Sequence, residues 1–461
     1  MSYSFVYGEK RSIINLEANI FSYITSKHIL GNEINNIICY SENSNVDVYY
    51  NSSEMDAQSN SSEKLKNRKL TLNLLDEARK TANEFTYFLQ KISNEDFSAS
   101  SDTQLLEVFE KYFSLLSKVF SYYRFSRPEL TDNLKEKVCS EIKLIQGINS
   151  NVLSYLLASN QITEIEKEKK AFALVCSSNI SDCVLLEHAK NFPWLFSNTY
   201  NVESAVTYLK KRTLEPFKEK KVKSLEKSQS IDFSDEAVFL INFLRDTGTV
   251  RLTLKCAWAG SEFMALNLFK EISKRADLGI EDFMASYRKQ EVIELLKYGT
   301  KILDCNVAQR KKNYLYIIRD CRKSFFSGSI AQKIKEDELS LNFDENYIRG
   351  KTANSGFVKG VVRIVANEDI CSLSEAIDSF KQGEILVTTM THPNMMLLAE
   401  KALGIITDEG GITSHAAILA RELNIPCLVG TKFASKVLKT GDLIKLNASK
   451  GFAEKLEVDL K

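Results

Sequence analysis

Glycine and proline divide this 461-residue chain into two unlike parts. The first 340 residues contain eight glycines and three prolines, and the remaining 121 contain ten glycines and two prolines. Sparse punctuation lets helices run long, whereas frequent punctuation forces short strands and turns. Residues 1–340 are therefore expected to form a mainly α-helical body, and residues 341–461 a compact α/β unit. The boundary is placed at about 341 to 350.

Periodicity supports both halves of that expectation. Leu105, Phe109, Phe113, Leu116 and Phe120 recur at helical spacing, as do Ala237, Leu240, Ile241 and Leu244, and then Met264, Leu268 and Ile272. The exception is Ile37–Tyr40 and Val46–Tyr50, apolar runs that flank Ser41–Asn45 and predict a β-hairpin near 37–50 capping the helices. Beyond the boundary, strands are expected at Phe357–Val365, Glu384–Thr388, Leu403–Thr407, Pro426–Gly430 and Asp442–Leu446. Helices are expected at Leu373–Phe380, Met395–Lys401 and Ser414–Leu423.

Lysine plus arginine (61) nearly cancel aspartate plus glutamate (60), so no overall field draws the chain to nucleic acid or an anionic membrane. No segment has the roughly 20 apolar residues of a membrane span. Met1–Arg11 lacks the apolar run of a signal peptide. The nine cysteines include no CxxC pair, which argues against zinc or a disulfide framework and for a reducing cytoplasm. The lysine-rich stretch Lys210–Lys227, broken by Glu215, Glu219 and Glu226, reads as a solvated face. His28 and His188 lack partners at metal-ligand spacing, and Trp194 and Trp258 read as core.

The chemistry is concentrated in Thr407-Asp-Glu-Gly-Gly-Ile-Thr-Ser-His415 and the helix that follows. An apolar strand runs into an acidic, glycine-rich turn, and Ala416, Ala417, Ala420 and Leu423 then favour helix. Thr413 or Ser414 is a natural N-cap. His415 then sits in the first helical turn, where unpaired backbone N–H groups and the helix dipole favour an anion. Gly410 and Gly411 leave room for a phosphorylated partner to approach. Neutral imidazole is nucleophilic and can hold a phosphoryl group covalently. From this setting alone, His415 is either such a carrier or a histidine in a capping turn with no chemistry. Asp408 and Glu409 either steer it or solvate the turn, and His392 faces either this site or solvent.

Gly410-Gly-Ile-Thr-Ser-His-Ala-Ala-Ile-Leu-Ala-Arg421 resembles the full phosphohistidine signature of the PEP-utilising enzymes, which include PEP synthase, pyruvate phosphate dikinase and rifampin phosphotransferase. Gly350–Gly360, Gly383–Thr389 and Leu438–Asp442 resemble the flanks of the same domain. The resemblance implies a β/β/α swivelling domain whose His415 carries the phosphoryl group, supported by Gly410, Gly411, Thr413, Ser414 and Arg421. In that family an ATP-grasp domain loads the histidine from ATP. No ATP-grasp glycine loop is visible in residues 1–340, so the resemblance implies an ATP-grasp protein as partner. ATP and magnesium would belong to that partner, with no cofactor or metal held by this chain.

The order of helical region and histidine domain is similar to the last two parts of rifampin phosphotransferase, which implies that the helical part binds a small-molecule acceptor. Arg245 and Arg251 are the candidate acceptor-binding residues. The alternative is a non-catalytic phosphohistidine carrier whose helical region only docks partner proteins. A carrier must travel, so a hinge is expected around Asn346 to Ser355, and the contact between the two regions is expected to be modest and polar.

Overall fold

The computed structural model describes residues 3–25, 34–127, 130–131, 134–138, 140, 162–177, 180–214, 233–320, 322–339, 347–365, 370–391, 395–411 and 414–456. The chain opens on strand β1 (Tyr3–Lys10) and helix α1 (Ile13–Thr25), followed by the hairpin β2 (Ile37–Glu42) and β3 (Asn45–Asn51). Helices α2 (Arg68–Ser93), α3 (Asp102–Tyr123), α4 (Asp235–Ala259) and α5 (Leu266–Arg275) pack on one another to form most of the body. The 105–120 stripe lies on the inner face of α3 and is buried along its whole length. Its rings meet those of α5, with Phe109 and Phe269 edge to face at 6.5 Å between centroids. Ser101 caps α3 through a reciprocal box with Gln104, which fixes where the helix begins. No helix among the described residues is long and apolar enough to cross a membrane.

The hairpin is more than a cap. Strands β4 (Asn313–Arg319) and β5 (Arg322–Ser327) return to it from the far end of the body. They complete a five-stranded antiparallel sheet in the order β1-β3-β2-β4-β5. The run Tyr314–Ile318 is buried on both faces. Its uninterrupted apolar pattern is equally compatible with a helix segment, and that ambiguity hides it from a periodicity search.

The C-terminal region is built on an eight-stranded sheet in the order β6-β13-β12-β8-β9-β10-β11-β7. Its strands are β6 (Tyr347–Arg349), β7 (Lys351–Asn354), β8 (Phe357–Ile364), β9 (Ile385–Thr388), β10 (Gly404–Thr407), β11 (Cys427–Val429), β12 (Leu443–Asn447) and β13 (Phe452–Lys455). The middle four, β8 to β11, are parallel. Helices α6 (Met396–Lys401) and α7 (His415–Leu423) are the connections from β9 to β10 and from β10 to β11. The five expected strands and three expected helices are all present within a few residues, the third helix being Ile370–Ser379. The segment expected as a hinge is instead strand: β6 pairs with β13 and β7 with β11, at opposite edges of the sheet. Asn346 itself lies outside the described residues.

The polar junction expected between the two regions is also corrected. Along β9 and β10, Ile385, Val387 and Ile406 face a small core of their own, whereas Leu386 and Ile405 face the helices. The helix-side cluster, with Met396, Leu398, Ala417 and Leu419, is continuous with the apolar core of the body. Ion pairs join the regions too: Lys211 with Asp378 at 2.6 Å, Lys436 with Asp47 at 2.7 Å, and Lys169 with Glu400 and Glu422 at 4.0 Å. The docked arrangement is therefore held by hydrophobic burial, with the exposed Lys211–Asp378 pair adding about 0–1 kcal/mol.

Candidate active site

Parallel strands leave their carboxyl ends side by side, and the loops that follow them converge there. β9 ends at Thr388 and leads to Met390 and Thr391, while β10 ends at Thr407 and leads to the glycine turn. Backbone bonds join these loops, from Asp408 N to Thr388 O at 3.2 Å and from Glu409 N to Thr389 O at 2.8 Å. Gly410 has φ +112°, and an added Cβ would meet Ser414 Cβ at 2.8 Å, so this turn needs glycine on both counts. Gly411 is buried, and its carbonyl accepts from Ser414 N at 2.8 Å. Ser414 is the N-cap of α7, accepting from Ala417 N at 3.3 Å. Thr413 and His392 lie outside the described residues.

His415 is the first residue of α7 and is 7% exposed. Its Nδ1 lies 2.8 Å from Thr391 Oγ1. Its Nε2 is buried and has no hydrogen-bond partner among the described residues. A cleft of about 30 Å³, room for a water or two, lies between this ring and the body. Lys255, Arg251, Leu252 and Tyr123 line its far wall, and Glu409 and Gly410 its near one. Lys255 Nζ donates to Thr391 O at 2.8 Å, so the lysine and the histidine are tied to the same residue. Arg251 donates to Ser126 Oγ at 3.2 Å and lies over the Tyr123 ring at 4.1 Å. With a spacing of four, Arg251 and Lys255 share one face of α4.

Burial dominates the electrostatics. It pushes His415 down to about 3, helped by the Lys255 charge and opposed by its contact with Thr391. It pulls Lys255 down to about 7, where Glu409 opposes the shift and Arg251 adds to it. His415 is thus neutral and nucleophilic at physiological pH, facing an ammonium poised near its titration point.

Both shifts favour docking as pH rises, because the docked form binds fewer protons than the separated one. The His415 contribution vanishes above about pH 6.5 and opposes docking by roughly 1.4 kcal/mol per unit as pH falls toward 3. The Lys255 penalty is complete below about 7 and is relieved as pH rises toward 10.5. Small-angle scattering should therefore show the two regions separating as pH drops from about 7 to 5, and His415→Phe should blunt that response. An unchanged profile in the variant would show that His415 burial does not couple to docking.

Other expected residues fall elsewhere. Arg421 stands near the far end of α7, about 9 Å along the axis from His415. Its Nη1 donates to Ala353 O at 3.4 Å, and it does not line the cleft. Arg245 donates to Asn242 Oδ1 on the body's surface, also away from the cleft. Asp408 is a brace: its carboxylate accepts from Thr431 Oγ1 at 2.9 Å and from the Ser435 backbone and hydroxyl. Glu409 is the acidic neighbour that faces the site. His188 is a satisfied core histidine 3.0 Å from Glu168. Lys255 and Thr391 were not singled out from sequence, although the four-residue spacing of Lys255 from Arg251 was available as a signal.

Residues 380–451 match the family described as PEP-utilising enzyme, mobile domain. This part of the chain, built around the glycine turn and α7, is similar to a mobile domain of that kind. Among similar proteins, a probable phosphoenolpyruvate synthase of Pyrococcus abyssi is 37% identical over 174 residues, covering 36% of this chain and 20% of the relative. One of Archaeoglobus fulgidus is 38% identical over 195 residues, covering 42% and 23%. The uncharacterized phosphotransferase YvkC of Bacillus subtilis is 42% identical over 124 residues, covering 26% and 14%. The chain thus spans about a fifth of the length of the synthases it matches.

Proposed function

We propose that this chain is the phosphotransferase component of a split, PEP-synthase-like system in the cytoplasm. His415 takes a phosphoryl group originating from ATP and delivers it to a small-molecule acceptor on the helical body. An ATP-grasp partner holding ATP and magnesium would load it. The observation that carries this reading is the His415 ring itself: Nδ1 is held by Thr391, while Nε2 has no partner among the described residues and opens on a cleft lined by Lys255 and Arg251.

In loading, the Nε2 lone pair forms the N–P bond as the donor's P–O bond breaks, and the electron pair leaves with the donor oxygen. The ring keeps its Nδ1 proton against Thr391. In delivery, an acceptor oxygen forms the new O–P bond, the N–P pair returns to Nε2, and a hydroxyl acceptor passes its proton to Glu409. Lys255 and Arg251 balance the charge on the phosphoryl oxygens during transfer. Thr391 is a positioning residue that fixes which ring nitrogen reacts.

A second reading is favoured by the size of the cleft, which in the docked state has room for only a water or two. It makes the chain a carrier that delivers to a partner protein rather than to a small molecule. The test is incubation with Mg-ATP and an ATP-grasp partner, then mapping by mass spectrometry under alkaline conditions. An acid-labile phosphate on His415 is expected, and label on any other residue would overturn the assignment. Discharge by small molecules rather than by a protein separates the two readings.

A further inference from the structure

A cavity of about 460 Å³ lies in the helical body, far larger than the cleft at His415. The two share no lining residue, and none of the residues lining the larger one belongs to the mobile domain. A volume of this order is that of a small-molecule site, typically about 300–1,000 Å³.

Its walls come from separate parts of the chain. They are residues 10–12 at the end of β1, Ser44 at the tip of the hairpin, and the loop 198–201 that leads into the helix Val202–Thr213. The helix Ile280–Ser286 and Lys311, near the end of the helix Asp304–Lys312, close the far side. These pieces are stapled together. Asn198 Nδ2 donates to Lys10 O at 2.9 Å, Arg11 N to Ser44 O at 3.1 Å, and Asn43 N to Lys312 O at 2.9 Å. Ser12 Oγ and the Tyr200 hydroxyl both donate to the buried Glu262 carboxylate, the tyrosine at 2.8 Å. The walls are thus fixed in advance, and binding need not order them. With its proton committed to Glu262, the Tyr200 oxygen keeps its lone pairs as an acceptor.

The chemistry of the walls is unusual for a pocket. Among the lining side chains only Met284 and Ala285 carry no polar group. Uncharged polar groups dominate, with the hydroxyls of Ser12, Ser44, Thr199 and Tyr200 and the amides of Asn198 and Asn201. The charges cancel. Lys311 pairs with Asp282 at 2.5 Å and Arg11 pairs with Glu9, while Lys10 and Glu281 stand on the wall with opposite signs. An apolar ligand would strand these polar groups, and a charged one would find no excess of counter-charge. The match is a molecule that is neutral overall and rich in hydroxyls, each of them donor and acceptor at once like the groups that face it.

We infer that this cavity binds a small neutral polyhydroxylated molecule, of the size and chemistry of a sugar, at a site distinct from His415. The inference goes beyond the transfer reading and does not depend on it.

The full chain, without any partner, provides the test. Glucose, ribose and maltose are the probes, followed by saturation-transfer NMR and calorimetry, with gluconate and glucosamine as charged counterparts. Saturable binding of at least one neutral sugar is expected, tighter than that of either charged one. Tyr200→Phe, which removes the acceptor oxygen, should weaken it about tenfold. Ala285→Phe, which fills the space from the helix wall and leaves Glu262 and its partners in place, should abolish it. Arg245→Gln, on the body's surface away from the cavity, should bind as the wild type does. Absence of saturable binding by all three neutral sugars overturns the inference, whether or not His415 is phosphorylated. Tighter binding of gluconate or glucosamine than of glucose also overturns it, since the wall would then select a charge. So does binding that is lost in Lys255→Gln but kept in both cavity variants, which would place the sugar at the histidine cleft. Sugar binding by a chain that is never phosphorylated would leave the cavity's role standing and remove the transfer reading instead.

Discussion

Replacing His415 by alanine is expected to abolish phosphoryl transfer completely while leaving the protein folded. Among the described residues the imidazole makes one side-chain hydrogen bond, to Thr391, and its Nε2 makes none, so the deletion strands little. Alanine is also the best helix former and sits comfortably in the first turn of α7, whose cap is supplied by Ser414. The cost to stability is the loss of a buried ring, about 1–3 kcal/mol, which thermal unfolding can measure. Thr391→Val gives the graded counterpart. It removes the group that holds Nδ1, so the ring samples the tautomer with its proton on Nε2, and loading should slow by about tenfold to a hundredfold without disappearing. A His415→Ala chain that still gains acid-labile label from Mg-ATP and a partner would end the proposed mechanism.

Lys255→Gln is expected to reduce delivery of the phosphoryl group by about 10²–10³, the usual effect of removing one preorganised charged donor from a buried transfer site. Loading at the partner's ATP site should change far less, since Lys255 belongs to the helical body. Single-turnover measurements of charging and discharge would separate the two steps. The pH profile supplies a readout that a packing defect would not reproduce. Lys255 is held near 7 before phosphorylation, and a phosphoryl dianion beside it favours the ammonium and raises that value. Discharge by the wild type should therefore fall on the alkaline side, as the lysine loses its proton, and the glutamine variant should lack that limb. A variant that retains the limb would show that some other group titrates.

The mobile domain was largely legible in the sequence. Glycine density marked the change of architecture, short apolar runs marked β8 to β12, and capping residues placed the start of α7 at His415. These are local properties: a helix start depends on a few neighbouring residues, and a turn on the glycine within it. The position of Arg421 could have been read the same way. Six residues along a helix from His415 means a rise of about 9 Å and a different face, so it could not have shared the site.

What the tertiary structure decided is which distant residues meet. Thr391 reaches His415 because β9 and β10 are parallel neighbours whose loops emerge at one edge. Lys255 and Arg251 face it because the α-layer of the domain packs on the body. The extent of that apolar contact was missed because a buried residue looks the same in sequence whether it faces its own core or another domain. Strands β4 and β5 were missed because a run buried on both faces carries no alternation. Nothing local in the sequence marks Arg11, Arg124 and Arg127 as buried, since arginine is mostly exposed in folded proteins. Only the fold shows that three of them are buried around one cavity. Capping, turn formation and periodicity act between neighbours and are written in order along the chain. Burial and charge balance are properties of the assembled interior, and no single stretch of sequence contains them.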